Sequence, residues 1–348
     1  MTRTAKRAAI IGGGVLALAA GIFFLLLNKD AIDDVPGLGN LVGDATCPLT
    51  SHEPDRESRA ERPAVAIKIE NNPVAYPLSG LEDAEIVYEE PVEGGLTRFM
   101  AIYHCTDSGQ AGPVRSARIV DPPIMSPYTS ILGAAGGNDI VRAALDDAGI
   151  ITIDEDRAGS AMTRVDRPGI TSEHTLYADT AAIRKVGRQS FEDPPPDDIF
   201  EFGDLQGTGR RARSITLTFS VASVVSYDWT GERWARSDGD APLVNDLGEQ
   251  IEVDNVLIEE HTVEHSDRLS DSLGTPSPEI VDVTGSGRAF LFRDGRMFAG
   301  KWSRESVDEP VRFETRGGDA FVLKPGTTWI ELLPDKAGDV KGTFDVAK

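Results

Sequence analysis

The chain has 348 residues and carries 57 acidic against 35 basic side chains, a formal net charge of −22. Nucleic-acid binding needs clustered Lys and Arg to displace counterions from phosphates, so this balance excludes nucleic acid as a partner. The length suffices for two domains of ordinary size.

Arg3, Lys6 and Arg7 precede an uncharged run over residues 8–27, AAIIGGGVLALAAGIFFLLL. A helix needs about 20 apolar residues to cross a hydrocarbon core of about 30 Å, and basic flanks stay on the cytoplasmic side. Residues 1–28 are therefore expected to be a cytoplasmic tail and transmembrane helix. That places the protein in the plasma membrane as a single-pass chain with its bulk extracytoplasmic. Ala17-Leu18-Ala19 has the spacing of a signal-peptide cleavage site, but Ile22-Phe23-Phe24-Leu25-Leu26-Leu27 prolong the apolar run beyond it. No cysteine closes the run, which argues against a lipid anchor. Outside the cytoplasm the two cysteines, Cys47 and Cys105, are expected to form a disulfide.

Residues 29–61, rich in Gly, Asp, Pro, Ser and Arg, read as a tether. At Pro63 the texture changes: PAVAIKIEN, AEIVYEE and TRFMAIYHC are strand-like runs separated by turn signals. Residues 114–120 read as a further strand. Residues 138–149 read as a helix with Ile140, Val141, Ala144 and Leu145 on one face, and residues 180–186 as another, capped by Asp179 or Thr180. Residues 191–213, with Pro194-Pro195-Pro196, read as a linker. Beyond it SITLTFS, SVVSYDW, ERWARS, NVLIEEHTV, RAFLFRDG, RMFAGKWS, PVRFETRG and TTWIELL are strand-like, and Asp294-Gly295 marks a hairpin. All four tryptophans lie here; they fill a β core or, alternatively, form a glycan-stacking face. The expected fold class is α+β: a mixed α/β domain over residues 62–190, a mostly antiparallel β domain over 214–335, and a frayed tail over 336–348.

His261-Thr262-Val263-Glu264-His265 matches the inverted zinc-protease pattern, but that chemistry needs both imidazoles on one helix face. The stretch reads as a strand, where i and i+4 stand about 13 Å apart, so no metal site is assigned. The first domain offers more. Glu85, Glu89, Glu90 and Glu93 surround the turn Gly94-Gly95, Arg98 follows, and Gly112-Pro113-Val114-Arg115-Ser116-Ala117-Arg118 adds two arginines. Guanidinium groups favour phosphate or carboxylate through paired hydrogen bonds. Mutual pairing of these charges is the alternative. Glu70, Asn71, Glu90, Glu93, Arg98, Arg115, Arg118, His174 and Tyr177 are the ligand-binding candidates. A shared site for Arg98 and Arg115 requires their segments to pair as a hairpin and the chain to bend after Arg115.

The stretch from Arg62 through RPAVAIKIENNPVAYPLSGLEDAEIVYEEPVEGGLTRFMAIYHC, with GPVRSAR and EHTLY, resembles the bacterial family DUF3048, the YerB-like proteins. NVLIEEH, RAFLFRDGRMFAGKWSR and LKPGTTWIELLP are similar to its C-terminal domain. The resemblance implies a cell-envelope protein, often a lipoprotein, and carries no activity or cofactor with it. Glu70-Asn71 stands where relatives show D-N, Ala84-Glu85 where they show A-D, and Thr175 replaces the Asn after the histidine. The function expected is binding of an envelope glycan, peptide or anionic ligand, with a cell-wall polymer or envelope protein as partner. The order of strand, GPVRSAR, glycine-rich step and helix is similar to the LytR-CpsA-Psr phosphotransferases, so pyrophosphate chemistry is one alternative. Hydrolysis by paired carboxylates, with Glu90 or Glu93 as acid or base, is another. Converging arginines favour the former, carboxylates facing across a cleft the latter.

Overall fold

β1 (Val65–Asn71), β2 (Ile86–Pro91) and β3 (Thr97–Tyr103) are so uniformly buried that 7, 5 and 7 of their residues fall in the core. Near-continuous apolar runs of this kind belong to strands covered on both faces. The computed structural model describes residues 45–204, 207–271 and 273–348. Within it the antiparallel order β2–β3–β1 forms the centre of an 11-stranded mixed sheet. On one side, short parallel strands β4 (Ile131–Gly133) and β5 (Ile151–Ile153) extend it.

The second half of the chain supplies the other side. Further strands are β6 (Ser214–Ser220), β7 (Ser223–Trp229), β8 (Trp234–Asp238), β9 (Asn255–His261), β10 (Val263–Ser270), β11 (Pro276–Ile280), β12 (Gly285–Arg293), β13 (Arg296–Arg304), β14 (Arg312–Thr315), β15 (Thr328–Pro334) and β16 (Thr343–Ala347). β15 lies parallel between β2 and β9, and β12, β13 and β14 follow outward, so one sheet runs through both halves. β6, β7, β8 and β16 build a second sheet whose inner residues pack onto the first. β10 and β11 form a separate two-stranded hairpin.

The fold is thus mostly strand with few helices. Helix α1 (Asp121–Met125), α2 (Asp139–Asp147) and α3 (Thr180–Gly187) are its longest. Asn138 caps α2 by accepting from the Val141 amide, and Asp179 caps α3 by accepting from Ala182. At Asp294-Gly295, φ values of 51° and 65° give the tight β12–β13 turn its left-handed pair.

Several segments differ from the sequence expectation. Residues 114–120 form no strand; they keep only the isolated bridge of Val114 to Ile69 and end in a turn at Ile119-Val120. The tail does not fray, because β16 pairs with β6 from Thr218 to Ser214. Residues 191–213 contain the short strands Glu201–Phe202 and Arg210–Arg211. Cys47 and Leu49, inside the expected tether, are buried, and Cys47 is joined to Cys105 with Cα atoms 6.0 Å apart. Trp234, Trp302 and Trp329 are buried and Trp229 packs on the core, so they fill it and offer no stacking platform. The run over residues 8–27 lies outside the described residues.

Candidate functional site

Arg98 on β3 stands directly opposite Glu70 on β1 and Glu90 on β2. Residues paired across strands share a face, so the three form a row, with Lys68 two positions from Glu70 on that face. Lys68 is completely buried; its Nζ donates to Glu90 and, at 2.7 Å, to Asp121 Oδ1 at the start of α1. Asp121 Oδ2 accepts the Arg118 amide at 2.6 Å. Burial raises the Glu90 carboxyl to about 7, opposed by Lys68 and reinforced by Asp121. This triad anchors α1, and with it Arg118, to the sheet.

Arg115 reaches the row by a route different from the expected hairpin with β3. Its segment runs along the part of the β1 edge beyond β4: Glu70 N–H donates to Pro113 O at 3.0 Å and Arg115 N–H to Lys68 O at 2.9 Å. The chain then turns away, and Ala117 N–H donates to Gly136 O at 2.8 Å. The bend expected after Arg115 is therefore present, at the edge of β1.

Arg98, Arg115 and Arg118 line one cavity of about 400 Å³ together with Glu93, Asn138 and Ser277. Two of the three guanidiniums meet three carboxylates, Glu93 on Arg118 and Glu70 and Glu173 on Arg115, whose Nη1 lies 3.7 Å from Glu173 Oε2. Arg118 pairs with Glu93 Oε2 at 2.5 Å, and Arg115 Nε lies 3.3 Å from Glu70 Oε1 without hydrogen-bond geometry. Arg98 donates to the Ser116 carbonyl at 2.8 Å and has no ion-pair partner among the described residues. Burial, then the charges of Arg118 and Arg115, push its pKa down to about 9. Burial would pull Glu93 up, but Arg118 and a hydrogen bond from Ser277 hold it below the ordinary carboxylate value. The capped N-terminus of α2 at Asn138 borders the same cavity.

Other candidates fall elsewhere. Glu90 is buried beneath the cavity against Lys68, and Glu93 faces Arg118, so they do not confront each other across a cleft as a hydrolytic pair would. His174 is not among the cavity residues; its Nδ1 meets Glu70 Oε2 at 2.5 Å, on the far side of the carboxylate from Arg115. Tyr177 accepts from Arg167 at 2.9 Å. Asn71 points to the opposite face of the sheet, donating to Thr97 at 2.8 Å and Glu89 at 3.2 Å. His261 ends β9 and His265 lies on β10, so the shared helix face that H-x-x-E-H chemistry needs is not formed.

Sequence reasoning missed the cavity's outer wall. Leu269, Ser270, Asp271, Ser277 and Pro278, from the β10–β11 hairpin, close it more than 150 positions after Arg115. It also missed Arg236, fully buried between the two large sheets, 2.8 Å from Glu89 and 2.9 Å from Asp238. Strand alternation in ERWARS gives no signal for such a charge.

Two family models match: "Protein of unknown function (DUF3048) N-terminal domain" over residues 49–192 and its C-terminal domain over 215–330. The chain belongs to the DUF3048 family. "Putative lipoprotein YerB" of Bacillus subtilis (strain 168) is 27% identical over 326 residues, covering 90% of this chain and 93% of the relative. The crystal structure of YerB from B. subtilis superposes with a TM-score of 0.70 at 24% identity, over 86% of this chain and 99% of that one, and so shares the fold. The relative's name corrects the single-pass placement: it describes a lipid-anchored protein, and no helix among the described residues is long and apolar enough to cross a membrane.

Proposed function

We propose that this DUF3048 protein is an envelope binding protein that holds an anionic group, phosphate or carboxylate, of an envelope glycan or peptide in the arginine cavity. The observation that carries the reading is the convergence of Arg98, Arg115 and Arg118 on one cavity of about 400 Å³, in which Arg98 has no ion-pair partner among the described residues. Buried Nε atoms of Arg115 and Arg118 lack an acceptor among the described residues. Buried cations are retained with carboxylates or an anion opposite, since an uncompensated charge costs several kcal/mol. With a net charge of −22 the surface repels anions generally, which makes a local cationic cavity selective. The Cys47–Cys105 bond and the relative's lipoprotein name support membrane association outside the cytoplasm.

Inorganic diphosphate titrated into the purified full chain tests this. At 100 times its dissociation constant a ligand stabilises by about 2.7 kcal/mol, a clear rise in Tm. Arg115→Ala should abolish the rise with the fold intact. No rise in the wild-type protein refutes the reading; unfolding of the variant, with wild-type binding also absent, makes Arg115 a structural ion-pair partner. The arginine convergence also favours pyrophosphate chemistry as a second reading. Release of phosphate from a diphosphate ester by the protein separates that reading from binding alone.

A further inference from the structure

The V-E-G-G turn divides two cavities. On one side is the arginine cavity; on the other is a second cavity of about 270 Å³. Both count Glu93 and Pro278 among their walls. The second has a different chemistry: Pro91, Val92, Leu96, Phe219, Pro276 and Val340 line it. The partition between them is narrow. Glu93 sends one carboxylate oxygen to Arg118 and the other to the Ser277 hydroxyl, so a single side chain and the β11 backbone separate the two spaces.

Gly94 and Gly95 form the wall next to Glu93, with φ of 72° and 74°. Two consecutive left-handed residues are accessible at little cost only to glycine. Without side chains they present bare backbone to the second cavity. A Cβ at Gly94 would meet nothing within 4 Å, whereas one at Gly95 would lie 2.7 Å from the Ser220 hydroxyl of β6. No neighbour crowds the first glycine, and the second lets the turn sit against β6. The apolar side chains Val221 and Leu273, 103% and 89% exposed, lie one position after the lining residue Ser220 and two positions before the lining residue Thr275.

We infer that the ligand of the arginine cavity is an amphiphilic anion, whose charged head is held by Arg98, Arg115 and Arg118 and whose apolar chain lies across Gly94-Gly95 in the second cavity. This rests on the anion-binding reading above and specifies the ligand class. Charge selects the head on one side of Glu93, and apolar burial selects the chain on the other. The shared walls, Glu93 and Pro278, place the two sites close enough for one ligand to span both.

The test compares inorganic diphosphate with geranyl diphosphate by calorimetry on the full chain, in the wild type and in His265→Trp. His265 lines only the second cavity and is exposed, so an indole there fills the space and leaves the arginines untouched. Geranyl diphosphate should bind at least 10-fold more tightly than diphosphate in the wild type, and His265→Trp should erase that advantage while leaving diphosphate affinity unchanged. Equal affinities of the two compounds in the wild type overturn this inference alone. A chain-dependent gain that survives His265→Trp overturns the placement of the chain. Absence of binding by either compound overturns both this inference and the anion-binding reading.

Discussion

Glu70 Oε2 and His174 Nδ1 lie 2.5 Å apart across 104 positions of sequence, while the other oxygen of the same carboxylate faces Arg115 at 3.3 Å. Glu70 therefore couples the histidine to the arginine cavity without lining it. Its charge competes with an incoming anion for Arg115.

Glu70→Gln should accordingly strengthen anion binding. The amide keeps an oxygen to accept from His174 and removes a negative charge beside Arg115. A unit charge some 6 Å from the anion, at an effective dielectric near 40, is worth about 1.4 kcal/mol, or roughly ten-fold in affinity. Titration with inorganic diphosphate at low salt measures it. Unchanged or weaker binding would show that Glu70 acts by orienting Arg115 and not by screening it.

The Cys47–Cys105 bond closes a loop of 58 positions and pins the chain ahead of β1 to the end of β3. Loop-closure entropy for that length gives about 4 kcal/mol. Cys47→Ser with Cys105→Ser, or reduction, should lower the unfolding free energy by that order and the urea midpoint with it, leaving β-sheet circular dichroism unchanged at low denaturant. An unshifted midpoint would mean that the packing of Leu49 alone holds the segment.

Much of this was legible in the sequence, and for identifiable reasons. The central strands announce themselves as β-branched runs between turn residues, and α2 and α3 by capped 3.6-residue periodicity. The arginines were recognisable because they sit beside glycine turns. What brings them together was not. The pattern places Arg115 in a strand beside β3, yet the segment instead lies along the part of the β1 edge beyond β4, held by two backbone hydrogen bonds to Lys68 and Glu70. The β10–β11 wall and Arg236 depend on contacts between positions more than 100 apart, which no local pattern encodes. The same holds for β16, whose sequence TFDVA is too short to announce a strand without β6 beside it.

His261 gives a pH dependence of definite sign. Burial alone would lower its pKa, but hydrogen bonds to Asp282 and Glu259, at 3.2 and 3.1 Å, outweigh burial and raise it to about 9. A cation whose folded pKa exceeds its unfolded value of about 6.5 contributes stability fully present below pH 6.5 and lost as pH rises through 9. The shift corresponds to about 3 kcal/mol at most. Urea midpoints should fall between pH 6.5 and 9.5 in the wild type, and the fall should be smaller in His261→Gln. Identical slopes in the two proteins would exclude His261 as the source.

Arg236 provides the sharpest contrast between two neighbouring substitutions. Its guanidinium, completely buried, lies between Glu89, Asp238 and Glu331 and over the Trp329 ring at 4.7 Å from the centroid. Glu89 and Glu331 are register partners on β2 and β15, so two fully buried carboxyl groups, with Asp238 as a third, face one cation. Burial, then the neighbouring Glu89, push the Glu331 pKa well above its ordinary value, against the pull of Arg236. Burial thus favours the protonated form of Glu331, whose carboxyl accepts from the Tyr227 hydroxyl. Glu331→Gln mimics that protonated acid and should cost about 1 kcal/mol or less. Arg236→Met strands the Glu89 charge in the core and should cost about 3–5 kcal/mol. Adding Glu89→Gln to Arg236→Met should recover part of the loss, because the stranded charge is then gone. Urea unfolding of the three variants at pH 7 decides the matter. Equal damage from Glu331→Gln and Arg236→Met would mean that Glu331 is ionised and that the cluster is held by two full ion pairs.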